Sequence, residues 1–218
     1  MSILSGKRVY LTLLLLIPVA FIVLLKSGTF KATGTLPIYG ERYVPESSKD
    51  TVYHTVGNFT LTDQEGNVFT QDSAKGKIRV VNFFFARCQS VCPKMNGHLS
   101  IVFKDYIKSR DVIFISHTVD PQHDSAEVLK EYARSMDVPY KHWYFLTGPY
   151  GEMARIQNQY LLPKADGTSA DQIAHSQHII LVDKEDRIRG AYDGLQTNEI
   201  LQLKEHIKLL KAEYKEAK

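Results

Sequence analysis

The chain has two cysteines, Cys88 and Cys92, in the run Cys88-Gln89-Ser90-Val91-Cys92-Pro93. They follow an apolar stretch from Ile78 to Phe85 that fits a buried strand, and precede residues that fit a helix after Pro93. Both thiols therefore belong to the bend where a strand ends and a helix begins. Residues four apart share a helix face, so the two sulfurs can approach each other. A helix N-terminus stabilises negative charge and lowers a thiol pKa. Two close, easily ionised thiols can bind a soft metal ion or cycle between dithiol and disulfide. The blander alternatives are inert buried cysteines and a structural disulfide, which would close so small a loop that it restrains the unfolded chain only weakly.

The remaining pattern describes the elements that must hold this pair. Asn58 to Thr70 alternates around Asp63-Gln64-Glu65-Gly66-Asn67 and predicts a hairpin. The unbroken apolar run Ile78–Phe85 predicts a strand covered on both faces, and Val112–Ser116 a second buried strand. Helices are expected over Lys94–Ser109, from the capping-box pattern Asp124-Ser125-Ala126-Glu127 to about Met136, and over Tyr150–Tyr160. Trp143–Leu146 fits a short strand, and residues 162–176 a polar loop. Ile179–Val182 and Ile188–Tyr192 fit a hairpin, followed by a long amphipathic helix from Thr197. Strands alternate with helices, and a hairpin and a helix close the domain. That is the order of a thioredoxin-like α/β fold with an extra N-terminal hairpin, although the usual redox spacing is C-x-x-C.

The N-terminus carries Lys7-Arg8, an uncharged stretch Val9–Leu25, and Lys26. As a helix this stretch would be about 25 Å long, the short end for a bilayer span. No small-x-small cleavage site follows it. The expectation is one uncleaved transmembrane signal anchor over residues 1–26, an extended tether over 27–52 and a single domain over 53–218. Removal as a signal peptide is the alternative. Either route places the cysteines where thiols oxidise readily, in a domain facing the periplasm or another extracytoplasmic space beside the cell (inner) membrane. A net charge of +3 over 218 residues is too mild to indicate nucleic acid.

Four ordered motifs carry a family resemblance: Phe83-Phe84-Phe85-Ala86-Arg87-Cys88-Gln89-Ser90-Val91-Cys92-Pro93, Thr118-Val119-Asp120-Pro121-Gln122-His123-Asp124-Ser125, Trp143-Tyr144-Phe145-Leu146-Thr147-Gly148, and Ala174-His175-Ser176. They resemble the F-x-x-C-x-x-x-C-P, V-D-P-x-x-D-[TS], W-x-x-L-T-G and D-H-[ST] segments of the Sco/SenC family, thioredoxin-like copper proteins of cytochrome c oxidase assembly. The departures are Gln89 for a common proline, Arg87 for a small or aromatic residue, and Ala174 for the acid before the histidine. The resemblance implies copper, Cu(I) and possibly Cu(II), held by Cys88, Cys92 and His175. It also implies Asp120 as a residue that orients the groups around the metal.

Two thiolates and an imidazole suit Cu(I), a soft ion that accepts low coordination. The chain has eight histidines, and composition does not choose among them; the resemblance selects His175. His98, His117 and Met95 are the other candidates near the pair. Two functions follow. A metallochaperone would pass copper to the copper-accepting (CuA) subunit of cytochrome c oxidase, with other copper chaperones or thiol–disulfide oxidoreductases as further partners. A thiol–disulfide oxidoreductase would use Cys88 and Cys92 as a catalytic redox pair to reduce a client's cysteines before metallation. Only the first requires His175. No residue set typical of a peroxidase is recognisable.

Overall fold

The computed structural model describes residues 14, 16, 34–45, 50–139, 141–160 and 177–216. The chain divides into two compact units, Met1–Gly34 and Thr35–Lys218. Apart from Leu14 and Leu16, which are helical, the expected anchor lies outside the described residues. Among the described residues no helix is long and apolar enough to cross a membrane.

The second unit is built on five strands: β5 (Ile78–Phe84), β6 (Val112–Thr118), β7 (Trp143–Leu146), β8 (His178–Val182) and β9 (Ile188–Asp193), in the order β7-β6-β5-β8-β9. β5 pairs in parallel with β6, and β6 with β7, whereas β8 and β9 run antiparallel. The helices are α1 (Gln71–Ala74), α2 (Val91–Tyr106), α3 (Ala126–Ser135), α4 (Tyr150–Gln159) and α5 (Thr197–Glu216). Ahead of the sheet come a small ribbon, β1 (Arg42–Tyr43) with β2 (Val52–Tyr53), and the expected hairpin, β3 (Thr60–Thr62) with β4 (Val68–Thr70). This is a thioredoxin-like arrangement.

The period-two geometry of a strand sorts β5 between two cores. Ile78, Val80 and Phe84 join Phe103, Phe114, Trp143 and Leu203 in a cluster shared with α2, α3 and α5. Val81 and Phe83 join Phe59, Leu61, Met153 and Ile156 under the β3–β4 hairpin and α4. All seven residues of β5 are buried, as its unbroken apolar run requires. Arg79 is fully buried and sends its guanidinium to Asp186 at 2.6 Å in the β8–β9 turn.

Two polar side chains fasten the outer strands. β7 is an edge, and a bare edge exposes unpaired backbone groups. Gln64, buried at the hairpin tip, donates to the carbonyl of Trp143 at 3.0 Å and accepts from the N–H of Phe145 at 2.9 Å, acting as a substitute for a neighbouring strand. On the other side Arg189 of β9 donates to Asp183 at 3.0 Å, to Glu213 of α5 at 2.8 Å, and to the carbonyls of Leu36 and Pro37. Leu36 is buried, its N–H donates to Glu213, and the N–H of Tyr39 donates to the carbonyl of Ile188. Arg189 thus ties the chain entering the domain to both the last strand and the last helix.

Removing one member of a buried ion pair strands its partners. Arg189→Met is expected to lower stability by about 3 kcal/mol, measured by urea unfolding. It should also open the chain near residues 37–45 to limited proteolysis.

Candidate dithiol site

β5 ends at Phe84, whose carbonyl still accepts from the N–H of Val119 at 2.8 Å, so the chain leaves the sheet level with the end of β6. It turns through Phe85, Ala86 and Arg87, with the N–H of Cys88 donating to the carbonyl of Phe85 at 3.2 Å. Helix α2 opens at Val91, earlier than the residues after Pro93 suggested; proline is tolerated in a first turn, where its missing N–H is no loss. Cys92 is therefore inside the first turn and Cys88 just outside it.

The first N–H groups of a helix lack intrahelical partners. Ser90 occupies the cap position, but its side chain makes no capping bond. The sulfur of Cys88 takes that role: the Cys92 N–H donates to Cys88 Sγ at 3.4 Å. Both thiols are free. Cys88 retains 8% of its surface and Cys92 1%, so the outer sulfur is the one a partner reaches.

The two thiols differ accordingly. Burial pushes Cys88 up, but hydrogen bonds from the thiol and N–H of Cys92, and from Ser90, outweigh it and leave Cys88 below the ordinary thiol value. Burial pushes Cys92 up to about 12, and its hydrogen bond to Cys88 adds to the rise. One sulfur ionises more readily than an ordinary thiol and the other holds its proton.

Two carboxylates brace the loop before Cys88. Asp120 accepts from Arg87 Nε at 2.8 Å and pairs with His123 Nδ1 at 2.8 Å. Asp124 Oδ2 accepts from the N–H of Ala86 at 3.0 Å and from the Thr118 hydroxyl at 2.5 Å. The capping-box pattern puts Asp124 at the start of α3. Instead Ser125 is the cap, accepting from the Val128 N–H, and Asp124 turns inward. Behind the pair a hydrogen-bonded chain crosses the core. Trp143 Nε1 donates to Ser116 Oγ at 2.8 Å, Ser116 to Asn82 at 2.6 Å, Asn82 to Asn96 at 2.9 Å, and Asn96 to Tyr132 Oη at 2.8 Å. The Tyr132 hydroxyl is pushed up to about 12, by burial first and then by the nearby cysteines, against the lowering hydrogen bond from Asn96.

The histidine candidates separate by place. His175 lies in residues 161–176, outside the described residues. His117 is on the other face of the sheet from the cysteines, stacked on Phe83 at 5.2 Å and edge-on to Phe59 at 5.8 Å, with both ring nitrogens unpartnered. It does not face the thiols. His98 spends Nδ1 on the carbonyl of Gly194 at 2.8 Å. Met95 is buried in the same cluster as the cysteines, its sulfur 4.0 Å from Asn82 Nδ2. Among the described residues no three His, Cys, Asp or Glu side chains are grouped to hold a metal ion. Two adjacent sulfurs, one ionised readily, do fit a soft monovalent ion that takes few ligands.

A five-stranded sheet flanked by helices, with paired thiols at the strand-to-helix bend, defines a domain of the thioredoxin-like class. The family model SCO1/SenC matches residues 47–210. The chain belongs to the SCO1/SenC family. It is 29% identical over 153 residues to the SCO1 protein homolog of Bacillus subtilis (strain 168), covering 68% of this chain and 78% of that one. Among solved structures it superposes on BsSco, described as having a disulfide switch and as a member of the Sco family of cytochrome c oxidase assembly proteins. That match has a TM-score of 0.62 at 26% identity, over 75% of this chain and 96% of the other. Yeast Sco1 with copper bound matches with a TM-score of 0.55 at 26% identity, over 71% and 93%.

Two measurements test the electrostatics. Iodoacetamide should label Cys88 first at pH 8, with Cys92 reacting only as the pH rises toward its higher pKa, read by peptide mass spectrometry. His117 is held down to about 3, by burial and then by Arg79. The unfolded chain binds this proton below about 6.5 and the folded chain does not, so stability falls with acidification from there toward pH 3. The slope from this group is about 1.4 kcal/mol per pH unit. His117→Phe, which fills the same aromatic box without a titrating ring, should unfold along a visibly shallower pH slope.

Proposed function

We propose that this protein is a membrane-anchored copper metallochaperone: Cys88, Cys92 and His175 hold copper and pass it to the copper-accepting (CuA) subunit of cytochrome c oxidase. The observation that carries this reading is the adjacent, unequal sulfur pair at the start of α2, with Cys88 Sγ over the Cys92 N–H and the outer thiol both easier to ionise and less deeply buried than the inner one. The copper seen in yeast Sco1 and the assembly role described for BsSco support it. Copper here is cargo. Cys88 offers the less buried and more readily ionised sulfur, Cys92 supplies a second after losing its proton, and His175 from the segment before β8 completes the set. Three ligands leave room for an incoming client thiolate, so transfer runs through shared coordination. Asp120 holds Arg87, next to Cys88, and so steadies the approach to the outer sulfur. The uncharged stretch Val9–Leu25 serves as the anchor that keeps the domain on the extracytoplasmic side.

The same asymmetry favours a second reading, thiol–disulfide exchange. The outer thiol, once ionised, attacks a client disulfide, and the inner thiol, on losing its proton, resolves the mixed disulfide and releases the client's dithiol. His175 separates the two. Anaerobic Cu(I) titration of the reduced protein is expected to show tight binding that weakens at least tenfold in His175→Ala, within the range for loss of a ligand or its support. Disulfide exchange with a model peptide should stay near wild type. Undiminished Cu(I) affinity in His175→Ala would overturn this ligand set.

A further inference from the structure

Asp124 is 1% exposed, and its carboxylate is spent on neither a helix cap nor a cation. Its Oδ2 joins the backbone of Ala86, two residues before Cys88, to the hydroxyl of Thr118 at the end of β6, while its own N–H donates to the carbonyl of Asp120 at 3.0 Å. Thr118 is fully buried and its Oγ1 also accepts from the N–H of Asp120 at 3.0 Å. One carboxylate oxygen therefore fastens three segments: the loop to the cysteines, the end of β6 and the loop to α3. A second side-chain tie to this loop, Arg87 to Asp120, is an ion pair whose arginine is 62% exposed, and such pairs contribute little in water. Hydrogen bonds to a buried carboxylate contribute more.

We propose that Asp124 is a positioning residue for the dithiol: by clamping Ala86 to Thr118 it sets the path of residues 86–88, so that the Cys88 sulfur lies over the Cys92 N–H. The inference rests on Cys88 and Cys92 being the working pair. It assigns to the second acid of the Asp120-to-Asp124 loop a structural grip on the first cysteine that touches neither sulfur. Without the clamp the helix start remains, but Cys88 swings through a wider arc and meets Cys92 less often.

The test is the equilibrium of the full-length protein with glutathione. Each Cys88–Cys92 bond formed consumes one glutathione disulfide and releases two glutathione thiols, so the constant reports the effective concentration of one sulfur at the other. Asp124→Ala should lower this constant about tenfold, the loss of one good hydrogen-bonding contact. Asp124→Asn keeps an acceptor for Ala86 and should recover to within about threefold of wild type. Thr118→Val, which removes one arm of the clamp with little change of shape, should lower the constant about threefold. It decides the matter if Asp124→Ala does not fold. Asp183→Ala breaks a comparable buried carboxylate in the β8–β9 turn and should leave the constant unchanged. Wild-type constants in Asp124→Ala and Thr118→Val, or an equal drop in Asp183→Ala, would overturn the proposal. Cu(I) titration of the wild type is the separate arm. A wild type that binds no Cu(I) while the variants shift as described overturns the copper reading and leaves the clamp standing. Tight Cu(I) binding with unshifted variants does the reverse.

Discussion

The site depends on a sulfur doing what an oxygen does in most helices. The N-terminus of α2 needs an acceptor, the Ser90 hydroxyl does not supply one, and Cys88 Sγ receives the Cys92 N–H. That contact orders the loop, draws the outer thiol toward its charged form and brings the inner thiol alongside. Burial alone would have pushed both thiols up together, giving two poor nucleophiles and two poor ligands. The hydrogen bonds break the symmetry, and each chemistry open to the pair depends on that difference.

The rest of the domain keeps this contact from drifting. On the outer side the loop is held by carboxylates from the β6–α3 connection. On the inner side Asn96, one helical turn after Cys92, is fixed between Asn82 and Tyr132 in a chain of four hydrogen bonds that starts at Trp143. Inside a low-dielectric core such a network is rigid when fully satisfied and costly when not. The opposite face of the sheet tells the contrary story: His117, Tyr160 and Arg79 leave buried polar atoms without partners there.

Much of this was legible in the sequence because it is local. The unbroken run at β5, the alternation of the β3–β4 hairpin and the short Trp143–Leu146 strand all carry their signal within a few residues. The cysteine bend was legible for the same reason. What was missed depends on partners far along the chain. Gln64 looks like an ordinary turn residue until β7, about eighty residues later, is placed against it. Arg189 looks like a strand charge until Leu36 and Pro37 arrive at its guanidinium. Asp124 and Ser125 are both good caps and sit side by side, so local sequence does not choose between them; the fold gives Ser125 the helix and Asp124 the loop. His117 could be placed near the rim by sequence, but which face it occupies is a matter of register with Phe83.

The chain has a single tryptophan, and it is fully buried in the core that backs the dithiol. Its indole N–H is the first donor in the chain of hydrogen bonds that ends at Tyr132 and passes through Asn96 on the cysteine helix. The fluorescence of the protein at tryptophan wavelengths therefore comes from one emitter, in one environment, wired to the element that carries Cys92. A shift of that helix registers as a change in colour or brightness without any label, so the molecule contains its own optical gauge.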